Sequence, residues 1–224
     1  MKRVAVTTTA DAAPRAAEPL IAHGLTPVML PCISISPGSR AVLTALREEA
    51  SRADLIVVTS ARAVRITWPD GDMPATPVAA VGAATAEAVL EAGGVVKVTG
   101  SKGAADLVSE LDVTGLRIVF PHARSADHGT DAELERMGAR VYAATAYDTI
   151  PIAPNDDKVD AAIFGSPSAV DGWLLRRHLD GLVIGAMGPT TASALRVRGV
   201  EDPVLPDIPG FDALVAALAE RINA

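Results

Sequence analysis

The chain repeats itself at a fixed distance, and this constrains its fold more than any other feature. "AVGAATAEAVLEAGG" at 80–94 returns as "AMGPTTASALRVRGV" at 186–200, so that Gly82, Thr85, Ala86, Ala88 and Gly93 meet Gly188, Thr191, Ala192, Ala194 and Gly199. At the same offset of 106 residues, from Thr85 to Thr191, "VVTSARAV" ending at Val64 matches "IFGSPSAV" ending at Val170, and Ser60, Ala63 and Val64 meet Ser166, Ala169 and Val170. A looser correspondence at an offset of 114, from Gly24 to Gly138, relates "RVAV…LIAHGLTPVMLPCISI" to "RIVF…LERMGARVYAATAYDTI". A chain made of two copies of one half is expected to form two similar lobes with paired sites.

Within each copy, short β-rich runs alternate with helical patterns, and nearly every strand ends in Gly, Ser, Thr or Pro before a helix begins, which is the signature of parallel βα units. Strands are expected at "RVAVTT", "PVMLPCISI", "DLIVVTS", "VAAVG", "VVKVTG", "RIVFP", "RVYAATAYDTI", "AAIFGS" and "LVIGAM", with a short one at "PVLP". Helices fill the intervals: Val42, Leu43, Leu46 and Ala50 share one face of "SRAVLTALREEASR", and "GFDALVAALAERI" repeats the pattern. The strands at 26–36 and 140–151 are unusually long. At about 3.3 Å per residue each reaches on the order of 30 Å, so each is expected to leave one lobe and enter the other. Pro31, Pro37 and Pro151 mark interruptions of ladder bonding.

Composition removes several classes of function. Hydrophobic residues make up 49% and charged ones 21% of the 224 residues, which argues for a packed core. The formal charge of −7 and pI of 5.1 disfavour nucleic acid as a partner, since phosphate backbones need concentrated basic surface. "RR" at 176–177 reads as a solvated helix face. An anionic small molecule stays open, because helix N-termini hold carboxylates without Lys or Arg. No apolar run has the length of a signal peptide or a membrane span, so no membrane association is expected and the chain reads as cytoplasmic. The lone Cys32 reads as an inert core thiol.

No generic nucleotide, zinc or nucleophile motif is present in the sequence, and no metal site is expected. "TGSKGA" at 99–104 resembles a phosphate loop only superficially, and His122, Asp127 and His128 read as loop polarity for lack of a further ligand. His23 and His178 read as helix C-terminal residues, favourable to the dipole. What remains is a repeated set of hydroxyls at strand-to-helix turns: Ser60, Thr85, Ser166, Ser168, Thr190 and Thr191. They read either as N-caps, each worth about 1 kcal/mol to its helix, or as ligand contacts beyond the carboxyl ends of an open α/β sheet. On the second reading, four such turns on two lobes define a cleft.

"TSARAV" at 59–64, "AVGAATAEAV" at 80–89, "VYAATAYDTIP" at 141–151, "GSPSAV" at 165–170 and "IGAMGPTTASAL" at 184–195, in that order, resemble the uroporphyrinogen-III synthase family over almost the whole chain. The resemblance implies an α/β fold of two flavodoxin-like lobes with parallel sheets, joined by a two-stranded antiparallel linker. On this chain the first lobe would be residues 1–33 plus 152–224 and the second 37–141, with linker strands near 32–37 and 142–151. It also implies the reaction: hydroxymethylbilane loses water, ring D is inverted through a spiro intermediate, and the macrocycle closes as uroporphyrinogen III, with no cofactor and no metal. Because the bilane cyclises by itself to the uninverted isomer, the protein has chiefly to hold it in the productive geometry.

By the same resemblance Tyr147 is the candidate proton donor to the departing hydroxyl, though it also reads as a half-buried strand aromatic. Thr85 and Thr191, with Ser60, Ser166, Ser168 and Thr190, are the candidate substrate contacts. The chain departs from the family where Thr8 stands in place of an Arg after the first strand, and where His122 stands in place of an Arg-Gly after "RIVF", with Arg124 as the candidate substitute. These departures keep a second reading open, a non-catalytic tetrapyrrole- or anion-binding module on the same scaffold. A two-lobed solute-binding protein would call for an export signal and a longer chain. The expected partner is hydroxymethylbilane, handed over by hydroxymethylbilane synthase, and the expected assembly is a monomer.

Overall fold

A computed structural model describes residues 1–100, 107, 111–125, 129–208 and 210–223. The chain divides into two compact units, one made of Met1–Ile35 and Thr149–Ala224, the other of Ser36–Asp148.

The first unit is a four-stranded sheet in the order β10-β9-β1-β2, with β1 at Arg3–Val6, β2 at Thr26–Met29, β9 at Ala161–Phe164 and β10 at Val183–Ala186. Every adjacent pair is parallel. Its strands β1, β9 and β10 are largely buried on both faces, as a sheet covered on two sides requires, and the edge strand β2 is half-buried. Val4, Val6, Ala161 and Ile163 pack with Leu20, Leu214 and Leu218, which belong to α1 (Ala17–Ala22) and to α8 (Phe211–Asn223). Ala5, Ala162 and Phe164 pack on the opposite side with Val170, Trp173 and Leu195, from α6 (Pro167–Leu174) and α7 (Pro189–Val197). A 3₁₀ turn, Ala13–Ala16, precedes α1. "PVLP" contributes a single bridge, Val204 to Gly185, rather than a strand.

The second unit is built on a six-stranded sheet in the order β3-β8-β7-β4-β5-β6. Its strands are β3 (Ile33–Pro37), β4 (Leu55–Val58), β5 (Pro77–Val81), β6 (Val95–Gly100), β7 (Arg117–Ala123) and β8 (Arg140–Pro151), and the pairs from β8 through β6 are parallel. Helices α2 (Arg40–Ala50), α3 (Ala61–Thr67), α4 (Ala83–Glu91) and α5 (Gly129–Arg136) cover it. In α2, Leu46 and Ala50 of the expected face are fully buried. The repeat shows in the backbone: Gly93 and Gly199, which follow α4 and α7, have φ of 80° and 91°, a left-handed turn that a side chain would strain.

The long strand expected over 26–36 is two strands. Pro31 has no N–H to donate, and 30–32 belongs to neither strand although Leu30 N–H still donates to Val6 O at 3.0 Å and Cys32 N–H to Thr7 O at 3.1 Å. Its counterpart β8 is continuous over 12 residues. Gly38 N–H donates to Ala146 O at 2.7 Å and Ile152 N–H to Cys32 O at 2.8 Å, so the two connecting segments run antiparallel.

Three further expectations change. Arg176 and Arg177 lie past the end of α6 rather than on a solvated helix face. The side chain of Arg177 is only 12% exposed, its guanidinium lies 4.5 Å from the Trp173 ring centroid, and it donates to Asn155 O. His178 is likewise beyond the helix, where its carbonyl accepts the Trp173 indole N–H at 2.9 Å. His122 belongs to β7 and not to a loop, tilted against Phe120 at 5.3 Å. Asp127, His128 and Ser101–Ala104 of "TGSKGA" lie outside the described residues. His23 does end α1, its Nδ1 3.0 Å from Pro19 O. Cys32 is fully buried, and burial pushes its thiol up to about 12 against the lowering charge of Arg177.

Candidate functional site

In the second unit the site grows from the turn after β4. Ser60 leaves the strand in extended conformation and caps α3, its Oγ accepting the Arg62 N–H at 3.2 Å. The same Oγ lies 3.1 Å from Tyr147 Oη. Tyr147 reaches it because β8 is irregular: opposite β7 the register slips between His122 and Ala123, which pair with Thr145 and Tyr147 and leave Ala146 as an extra residue. Such a bulge breaks the alternation of faces, so Ala146 and Tyr147 are both buried although adjacent. The guanidinium of Arg62 lies over the Tyr147 ring, 5.9 Å from its centroid. Arg124 flanks the same residue: its backbone N–H donates to Tyr147 O at 2.9 Å and its Nε to Asp148 Oδ2 at 2.9 Å.

Thr85 stands at the third position of α4, whose N-cap is Gly82 and lacks a side-chain cap. It is buried, and its backbone N–H donates to Gly82 O at 3.1 Å. Thr191 repeats this arrangement in the first unit, third in α7 after the N-cap Gly188, and buried. Capping therefore accounts for neither threonine. It does account for Ser166, which caps α6 by accepting the Ala169 N–H at 3.3 Å. Ser166, Thr190 and Thr191 line one concavity of about 320 Å³ at the carboxyl ends of β9 and β10. Ser168, in the first turn of α6, is half-buried and does not line it. A neighbouring hollow of about 420 Å³ at the end of β1 is lined by Thr7, Thr8, Phe211 and Asp212.

The structure thus brings Ser60, Tyr147 and Arg124 together in one unit and Ser166, Thr190 and Thr191 in the other. Arg62 was missed by sequence reasoning. Its only signal was a cation two residues after a capping serine, which places it in the first turn of a helix that starts at a strand's carboxyl end. Among the described residues no group of His, Cys, Asp and Glu side chains is arranged to hold a metal.

The family model for uroporphyrinogen-III synthase HemD matches residues 14–216. The chain belongs to the uroporphyrinogen-III synthase family. A chloroplastic uroporphyrinogen-III synthase of Oryza sativa subsp. japonica is 28% identical over 227 residues, covering 90% of this chain and 74% of the rice protein. A crystal structure of a mutant uroporphyrinogen III synthase from the extremely thermophilic bacterium Thermus thermophilus superposes with a TM-score of 0.65 at 19% identity, covering 100% of this chain and 99% of that one. The synthase from Helicobacter pylori 26695 gives 0.70 at 15% identity, with 99% and 100% covered, and both show the shared two-lobed α/β fold. The uroporphyrinogen-III synthase family acts on hydroxymethylbilane in tetrapyrrole biosynthesis, and this chain is a cyclising lyase that forms uroporphyrinogen III with loss of water.

Proposed function

We propose that Tyr147 donates the proton to the departing hydroxyl of hydroxymethylbilane, while Ser60, Thr85, Ser166, Ser168, Thr190 and Thr191 contact the bilane at the carboxyl ends of the strands. The observation that carries this reading is the 3.1 Å contact between Ser60 Oγ and Tyr147 Oη. Ser60 Oγ accepts from Arg62 N–H, so its own proton is free to point at Tyr147 Oη. Tyr147 then turns its proton outward, to the substrate. Transfer of that proton as the C–O bond breaks releases water and leaves the positive charge on the pyrrole, whose ring electrons take it up. Thr85 and Thr191 stand in the first turns of α4 and α7, where helix N-termini meet strand ends, which suits groups that face an anionic ligand. Arg124 stays a weaker candidate, because its charge is already engaged by Asp148.

The test is ring closure of freshly generated hydroxymethylbilane with the isomers separated. The wild-type protein gives the type III product, whereas Tyr147→Phe slows its formation and lets the spontaneous type I isomer accumulate. Undiminished type III formation by the variant removes Tyr147 from the role. The reading also includes a cytoplasmic monomer that receives the bilane from hydroxymethylbilane synthase, since a substrate that cyclises unaided is best transferred without delay. Among the described residues no helix is long and apolar enough to cross a membrane.

A further inference from the structure

We propose that Arg62 is a carboxylate anchor for the substrate, the cation that holds an acetate or propionate of the bilane beside Tyr147. The inference rests on the reading of Tyr147 as lying at the reacting ring. A protein of net charge −7 that takes up a polycarboxylate gains from local positive charge beside the helix N-termini that can hold carboxylates. In the second unit most arginines are already engaged: Arg52 with Glu49, Arg65 with Glu91, Arg117 with Glu49, Arg124 with Asp148 and Arg136 with Glu133. Arg62 differs. Among the described residues its guanidinium has no carboxylate or carbonyl partner, and its one neighbour of note is the Tyr147 ring at 5.9 Å.

The position is fixed from both sides. Ser60 Oγ holds the Arg62 backbone N–H at 3.2 Å and lies 3.1 Å from Tyr147 Oη, so the first turn of α3 and the phenol orient each other through one serine. The ring face stabilises the cation without consuming its N–H donors, and the five donors of a guanidinium can form a bidentate pair with a carboxylate. The carboxylate so held would sit within a side chain's length of the phenol.

Uroporphyrin III, the oxidised and unreactive form of the product, separates this role from catalysis. Binding to the full-length protein is followed by absorbance titration at low and high salt, for wild type, Arg62→Gln and Arg62→Lys. Arg62→Gln should weaken binding by about tenfold at low salt, the loss expected for one charge-assisted pair, and should flatten the salt dependence. Arg62→Lys should recover part of the affinity, and the KM of ring closure should rise in the same order with kcat little changed. The inference is overturned if Arg62→Gln binds as wild type does, or if both variants are equally impaired with lowered melting temperatures. Loss of affinity in Arg62→Gln alongside full type III formation by Tyr147→Phe would leave the anchor standing and remove only the proton donor.

Discussion

At the scale of single residues, Tyr147 and Cys32 are both buried titratable side chains, and they have opposite relations to the chemistry. Tyr147 is buried but aimed at a hydroxyl on a strand-end turn. Tyr147→Phe keeps the ring and its packing, so the melting temperature should hold while ring closure slows by roughly 10²–10⁴-fold, the usual range for a lost general acid. Cys32 is buried and inert, its Sγ donating to Leu30 O at 3.3 Å. Its thiol is raised by burial from 9.0 to about 12, so the folded state favours the protonated form. The corresponding stability is complete below pH 9.0 and is lost as pH rises towards 12. In that window the loss is about 1.4 kcal/mol per pH unit, and urea unfolding of Cys32→Ala should fall off less steeply than wild type by that amount. Parallel curves for the two proteins would refute the raised thiol. Of these residues, Cys32, Ser60 and Tyr147 were legible in the sequence, because an apolar strand, a strand-end hydroxyl and a family motif each leave a local mark. Arg62 was not, since nothing in "TSARAV" says that its guanidinium lies over a tyrosine 85 positions downstream.

At the scale of elements, the alternation of strand and helix was legible because the central strands β4 and β9 are buried throughout and are followed by turn residues. The β8 bulge was not, because it is defined by pairing with β7 and no residue type in "ATAY" demands it. The turn hydroxyls divide into two kinds that a melt can separate. Ser166→Ala removes a cap and should cost about 1 kcal/mol. Thr85→Val and Thr191→Val remove hydroxyls that cap neither helix and keep the side-chain shape, so they should leave stability within about 0.5 kcal/mol of wild type. Their ring-closing activity should fall all the same. Valine variants that lose stability and activity in proportion would return both threonines to a structural role. A further element-scale constraint sits under α6, where Gly172 lies against the connecting segments. A methyl group there would collide with Cys32 O and stand 2.9 Å from Ile152 O, both of them backbone. Gly172→Ala should therefore destabilise the protein by roughly 3 kcal/mol, read from the urea midpoint. Gly38→Ala, whose methyl would stand 2.6 Å from Thr145 O, should be destabilising in the same sense.

At the scale of the whole molecule, the internal repeat announced two similar lobes but was silent on which half-copies pair, since the order of strands in a sheet is not written in the order of the chain. The sheets supply a specific proposal: Ser36–Asp148 is an autonomous folding unit. It contains five parallel strands from β8 to β6, with Leu55, Val57, Ile118, Phe120 and Leu134 in one core. The boundary matters. The pairing of β7 with β8 runs from Arg117 with Arg140 to Ala123 with Tyr147, so a fragment that stops at residue 141 loses nearly all of β8 and exposes the edge of β7. Residues 36–148 should melt cooperatively on their own, retain the Ser60–Tyr147 contact, and show no ring closure, because Ser166, Thr190 and Thr191 are missing. Residues 1–113 keep β1 and β2 without β9, and β4 without β7, and so should give no cooperative transition. Circular dichroism melts of the two fragments decide the matter: a folded 1–113 beside an unfolded 36–148 would show that the repeats pair in sequence order, whereas the reverse leaves the active enzyme dependent on a first unit assembled from both chain ends.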